Sequence, residues 1–281
     1  MKLALTFLAL VLTAMPLPAH AQENCGELIT VDIRDGEKQS YSFGPADTDG
    51  KPIATLVLLA GGGGVLDLDE AGCARKLTGN TLTRNVAGFR KAGFTTALVD
   101  ASSDHQSGEG LGWFRVRTEH ADDLGAVIAD VRGRSPLPIY IVGSSRGTIS
   151  AVNAAAFLSG IFAPDGVILF SPITSGFVGG RKAWVAQTVF DVRLEDISKP
   201  VLVVAHESDT CIRTPPEKAR DILPRTNGDL EQMIMVSGGP AADTGITGVK
   251  ACAGRLPHGF GGQDELVVKL ITEFVGNAGA R

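Results

Sequence analysis

Aromatic side chains are scarce. Two Trp, two Tyr and twelve Phe make up 6% of the 281 residues, which gives little material for stacking sugars or ring-bearing ligands. Basic charge is not in excess either: 26 Lys and Arg stand against 31 Asp and Glu, a net of −5, without the basic footprint that a nucleic-acid partner demands. No G-x-x-x-x-G-K-[ST] run is present, nor a G-x-G-x-x-G opening a helix, which argues against a nucleotide site. The spacings C-x-x-C and H-E-x-x-H are also missing. The cluster His206, Asp209 and Cys211 therefore stands alone as a metal candidate, and the pattern calls for no metal and no cofactor. No fixed-period repeat or low-complexity linker divides the chain.

What is there begins with MKLALTFLALVLTAMPLPAHAQ. Lys2 supplies a positive start, residues 3–12 are apolar except Thr6, and Ala19-His20-Ala21 reads as a small-residue cleavage site. Residues 1–21 are expected to be a secretory signal peptide, the apolar stretch being too short for a membrane anchor. Cys25 follows Gln-Glu-Asn, not the small apolar residues that lipidation requires. Cleavage would remove Lys2 alone among the Lys, Arg, Asp and Glu residues, leaving the mature chain one unit more acidic. The expected destination is periplasmic or secreted. Residues 22–281 fit a single domain. All four cysteines (Cys25, Cys73, Cys211 and Cys252) lie in it, and an even number in an oxidising compartment points to two disulfides, with three possible pairings.

Short apolar runs at 55–60, 95–99, 138–142, 166–170 and 201–205 each end in a turn signal and are apolar on both faces, as strands buried between helical layers are. Helical periodicity separates them at 82–91, 119–131, 146–158 and 264–274. The alternation predicts an α/β fold: a three-layer α/β/α, doubly wound, mostly parallel sheet. Segments 28–33 and 41–43 are candidates for an antiparallel edge.

Between the expected strand 138–142 and the helix from 146 lies Gly143-Ser144-Ser145-Arg146-Gly147, a G-x-S-x-G centred on Ser145. In such a strand–turn–helix the glycines let strand and helix approach, and the serine hydroxyl stands above the sheet at a helix N-terminus. Ser144 is off-centre. A serine needs a base to take its proton. His120 sits within a helix, His105 and His206 follow strands, and His258 occupies a Gly-rich loop before the last helix, where catalytic groups concentrate. A carboxylate must then orient the imidazole. Asp209, in the loop after strand 201–205, is the candidate, with Glu207 and Asp196 as alternatives.

On the elbow at 143–147, the loop at 206–210 and His258 before a final helix, the chain resembles the α/β-hydrolases over most of residues 53–275, and the order Ser145, Asp209, His258 is the one found in that family. The resemblance implies a serine hydrolase acting through an acyl-enzyme, most readily a carboxylesterase on small or accessible esters. Peptidase, thioesterase or acyltransferase chemistry, or a non-catalytic binding protein, are the alternatives. It also implies an oxyanion hole, with one donor from Gly63 or Gly64 in the run Gly61-Gly62-Gly63-Gly64 and another from the Arg146 N–H. If the acid and base loops meet, Cys211 pairs with Cys252, leaving Cys25 with Cys73. Arg146 is unusual after the nucleophile: it either binds an anionic substrate group or turns outward into a salt bridge. The short segment 171–199 implies little or no lid. Oligomeric state is not readable.

Overall fold

The computed structural model describes residues 25–176 and 182–280; the expected signal peptide, 1–21, lies outside them. In chain order the strands are β1 (Glu27–Asp32), β2 (Lys38–Gly44), β3 (Ala54–Leu59), β4 (Phe94–Ser102), β5 (Ile139–Ser144), β6 (Gly166–Phe170), β7 (Val201–His206) and β8 (Glu231–Val236). All eight form one sheet in the order β1-β2-β4-β3-β5-β6-β7-β8. The hairpin β1–β2 joins β4 antiparallel, and every pairing from β4 to β8 is parallel. Helices α1 (Thr81–Arg84), α2 (Val86–Lys91), α3 (Thr118–Arg134), α4 (Gly147–Phe157) and α5 (Asp264–Gly279) cover it.

Alternation along the strands explains why they read as continuous apolar runs. In β3, Val57 and Leu59 face one core with Leu124, Val127 and Ile128 of α3 and Ile149 and Val152 of α4. Leu56 and Leu58 face the opposite core, with Phe89 of α2 and Leu270, Ile271 and Phe274 of α5. Both faces are buried, so apolar residues dominate each of them.

Three features differ from the sequence reading. The helix expected at 82–91 is two, because Asn85 leaves helical geometry at φ −96°, ψ 3°. Its side-chain amide instead bonds Thr81 O at 2.8 Å and Asp264 Oδ1 at 3.0 Å. Strand β4 runs longer than 95–99 at both ends. Strand β8 has no signal in the sequence pattern: EQMIMV is half-buried at an edge and shows neither alternation nor a β-branched run.

Candidate active site

The sheet's parallel strands deliver their carboxyl ends to one edge, where open α/β sheets place their sites. Ser145 follows β5 directly. It adopts φ 53°, a left-handed conformation that costs a non-glycine residue energy and persists only where surroundings enforce it. Here the enforcement is steric. A Cβ on Gly147 would stand 2.0 Å from the Leu59 carbonyl oxygen, and one on Gly143 would stand 2.6 Å from the Gly147 carbonyl oxygen. The Ser145 N–H donates to Phe170 O at the end of β6 (2.9 Å). Ser144 is 3% exposed, and its hydroxyl accepts from Asn80 Nδ2 at 3.4 Å, whereas Ser145 lines a cavity.

Asp209 and His258 meet. The His258 Nδ1 lies 3.0 Å from Asp209 Oδ2, and both side chains are buried. Thr214 Oγ1 donates to the same carboxylate oxygen at 2.7 Å and also lies 3.0 Å from the ring nitrogen. The Cys211 N–H donates to Asp209 Oδ1 at 2.9 Å. Each carboxylate oxygen is therefore satisfied, the condition for burying an ionised group. A proton on Nδ1 toward Asp209 leaves Nε2 of His258 as the acceptor.

Two further contacts hold the histidine loop. Ser171 Oγ donates to His258 O at 2.7 Å. Arg84 reaches across from α1, its guanidinium donating to the carbonyls of Gly254, Gly259 and Phe260 at 2.7–3.1 Å and pairing with Asp264 at 2.7 Å. Because Phe170 binds Ser145 and Ser171 binds His258, the end of β6 sets the serine loop and the histidine loop beside each other.

The rival residues are occupied elsewhere. His206 accepts from the Ser208 N–H at Nδ1 and faces Gly238 O through Nε2, each at 3.1 Å. His105 contacts Asp104 and Ser102 through Nδ1 and stacks on Phe114. His120 is buried against Ser150 (2.8 Å), and burial with Arg115 nearby holds its pKa well below the ordinary range. Glu207 is exposed; Asp196 is exposed too and pairs with Arg193.

Both disulfides are present: Cys25–Cys73 and Cys211–Cys252. The second bridges the Asp209 loop to the chain leading into His258. Asp209, Cys211 and His258 offer ligand-type atoms within 4.8 Å of one another, but a disulfide sulfur is not the thiolate that a metal needs. His206, the third member of the expected cluster, is committed to backbone. The residues present do not fit a metal.

In the glycine run, the Gly64 N–H donates to Gly61 O at 3.0 Å, so it closes a turn. Gly62, next along, shares the cavity wall with Ser145 and Arg146. Beneath this loop lies Arg115, which no local pattern singles out. It is 1% exposed and donates to Ala60 O (3.2 Å), Gly62 O (3.3 Å) and Ser150 Oγ (2.6 Å). Burial and the neighbouring Arg146 push its pKa down to about 9. Thr214, Arg84 and Arg213 likewise carry no local sequence signal, since their places come from contacts distant in sequence.

No family model matches this sequence, and no curated protein does. Solved structures do. XC6422 from Xanthomonas campestris, an α/β serine hydrolase without a lid, aligns over 89% of this chain and 93% of its own at 16% identity, TM-score 0.58. Est1E from Butyrivibrio proteoclasticus aligns over 91% and 100% at 17% identity, TM-score 0.58. A soluble variant of monoglyceride lipase from Saccharomyces cerevisiae aligns over 94% and 99% at 12% identity, TM-score 0.60. With its strand order, its left-handed serine at the end of β5 and its buried Asp–His pair, this chain has the α/β-hydrolase fold.

Proposed function

We propose that this protein is a serine hydrolase acting through an acyl-enzyme, a carboxylesterase on small or accessible esters. The observation that carries the reading is Ser145 held at φ 53° on a cavity wall, with the buried Asp209–His258 pair on the neighbouring loop. Ser145 Oγ attacks the ester carbonyl carbon as His258 Nε2 takes its proton. Asp209 holds the imidazole tautomer and stabilises the imidazolium. N–H groups of Arg146 and of the glycine loop, Gly62 or Gly63, receive the developing oxyanion; Arg115, tied to the Ala60 and Gly62 carbonyls, positions that loop. Collapse of the intermediate expels the alcohol, which takes the proton from His258. Water deprotonated by the same nitrogen then releases the acid and restores Ser145.

The apolar wall formed by Ile173 and Val185 suits a short acyl chain. Two disulfides support export into an oxidising compartment, the fate expected from residues 1–21, and no helix among the described residues is long and apolar enough to cross a membrane.

The test is hydrolysis of p-nitrophenyl esters of graded length by the mature protein beside Ser145→Ala, with fluorophosphonate labelling of both. The expected outcome is labelling of the wild type alone and a loss of turnover of at least about a thousandfold. Equal rates and equal labelling would reduce Ser145 to a turn residue.

A further inference from the structure

The cavity beside Ser145 has a volume of about 380 Å³, within the range of small-molecule sites. Its walls are unevenly made. Ile173, Val185, Val249 and the Cys211–Cys252 bridge supply apolar surface, while Arg146 and Arg213 are the charged residues that line it. Among the described residues, no Asp or Glu lines it.

Arg213 is built into its place. Its Nε donates to Ser175 O at 2.6 Å and its Nη2 to Gln187 O at 2.9 Å. Its own carbonyl accepts from the N–H groups of Thr174 and Ser175. These partners are neutral, so they fix the guanidinium without cancelling its charge, and no carboxylate pairs with Arg213 among the described residues. Its Nη1 end takes part in none of these bonds. Arg146 feels Arg213 as a like charge. Glu109, which counters it, also pairs with Lys182. Arg115 adds a third cation from below the glycine loop. Burial lowers the pKa of all three arginines, Arg146 to about 10. A chain with a net charge of −5 over its full length thus concentrates positive charge around its candidate nucleophile. Guanidinium groups in a partly desolvated wall favour an anion with planar oxygens, which they can bind through paired N–H groups.

We propose that Arg146 and Arg213 form a subsite for an anionic group, a carboxylate or similar oxyanion, borne by the substrate close to its scissile carbonyl. This rests on the serine-esterase reading above and narrows its substrate class to acidic esters. The anion reaches the subsite from either side of the ester bond, on the acyl chain or on the leaving group.

Two matched probe pairs separate those sources. Mono-p-nitrophenyl adipate against its methyl ester places the charge on the acyl side; 4-acetoxybenzoate against its methyl ester places it on the leaving group. The measured quantity is the ratio of kcat/KM for the charged and neutral member of each pair. A ratio is insensitive to the fraction of protein folded, which matters because Arg213 also tethers Ser175 and Gln187. In one pair the wild type is expected to favour the charged ester. Arg213→Gln should lower that ratio about tenfold, Arg146→Gln should lower it too, and Arg213→Lys should fall between. Ratios unchanged by all three substitutions in both pairs would overturn the subsite.

Calorimetric titration of Ser145→Ala with adipate gives a readout that needs no turnover. Binding that is lost in Ser145→Ala/Arg213→Gln and weakened by salt supports the subsite even if the wild type hydrolyses no ester. In that case the esterase reading fails and the anion site stands. Brisk hydrolysis of neutral esters without Arg213-dependent adipate binding would leave the reaction and remove the subsite.

Discussion

The two halves of the candidate site are held by different means. The serine half is a matter of backbone: β5 ends, the chain turns left-handed at Ser145, and α4 begins so close to β3 that a single added carbon on Gly147 would overlap a carbonyl. The acid–base half is a matter of side chains and cross-links, in which Thr214 and the Cys211 N–H hold Asp209, while Arg84 and Ser171 hold the His258 loop. A backbone-enforced geometry fails all at once, because relieving the overlap moves the sheet. A side-chain-enforced geometry can fail by degrees, one bond at a time. The candidate nucleophile thus sits on the least adjustable part of the fold, and the candidate base on a part that can be tuned.

The disulfides give the sharpest way to probe that contrast. They close loops of similar length, with sequence separations of 48 and 41 residues. In the chain-entropy model each stabilises the fold by about 4 kcal/mol. Cys25→Ser/Cys73→Ser and Cys211→Ser/Cys252→Ser should therefore lower stability comparably in denaturant titrations. Only the second, which frees the Asp209 loop, should also lower kcat on p-nitrophenyl esters in the protein that remains folded. Equal kcat losses would mean that the acid–base loops need no cross-link of their own.

Gly147→Ala tests the serine half. Overlap with the β3 carbonyl predicts a loss of about 3 kcal/mol, visible as a lowered denaturation midpoint and accompanied by loss of fluorophosphonate labelling. A variant with wild-type stability would show that the elbow is not sterically locked.

The polar layer below the serine half should respond to acid. His120 is held neutral, its folded pKa well below 6.5, so the unfolded chain binds a proton that the folded chain refuses. Stability contributed by this residue is intact above the unfolded pKa and declines as pH falls below about 6.5, by about 1.4 kcal/mol per unit until the folded pKa is reached. His120→Gln should flatten that part of the stability–pH curve. An unchanged slope would assign it to other groups. The smallest effect is expected from Thr214→Val: a loss of about 1 kcal/mol for the missing hydrogen bond with a measurable fall in kcat. A fall in stability without one in kcat would make Thr214 a packing residue only.

The parts of this molecule that were legible in its sequence are those carried by neighbouring residues. The buried strands announced themselves as doubly apolar runs, and the elbow appeared as a glycine-bracketed serine between a strand and a helix. What escaped was set by distance or by competition. Strand β8 takes its register from β7 rather than from any pattern of its own. Asn85 divides a helix because Asp264, far along the chain, offers its amide a partner. Arg115, inside "GWFRVRTEH", reads as one of several surface cations, and nothing local says that it ends beneath the glycine loop. Gly64 looked as good an oxyanion donor as Gly63 until the turn to Gly61 engaged its N–H. Thr214 and Arg213 gain their places only when the loop after β7 folds over the elbow.

The end of β6 carries an implication for how such a protein can change. Phe170 receives the Ser145 N–H and Ser171 grips the carbonyl of His258; these neighbours have Cα atoms about 3.8 Å apart. A single peptide unit therefore acts as a gauge block between the serine loop and the histidine loop. Its length does not depend on what the chain does after it. The segment from 172 to the start of β7 can lengthen, acquire a covering element or change its chemistry without disturbing that spacing, which makes it the natural insertion point for new substrate preferences.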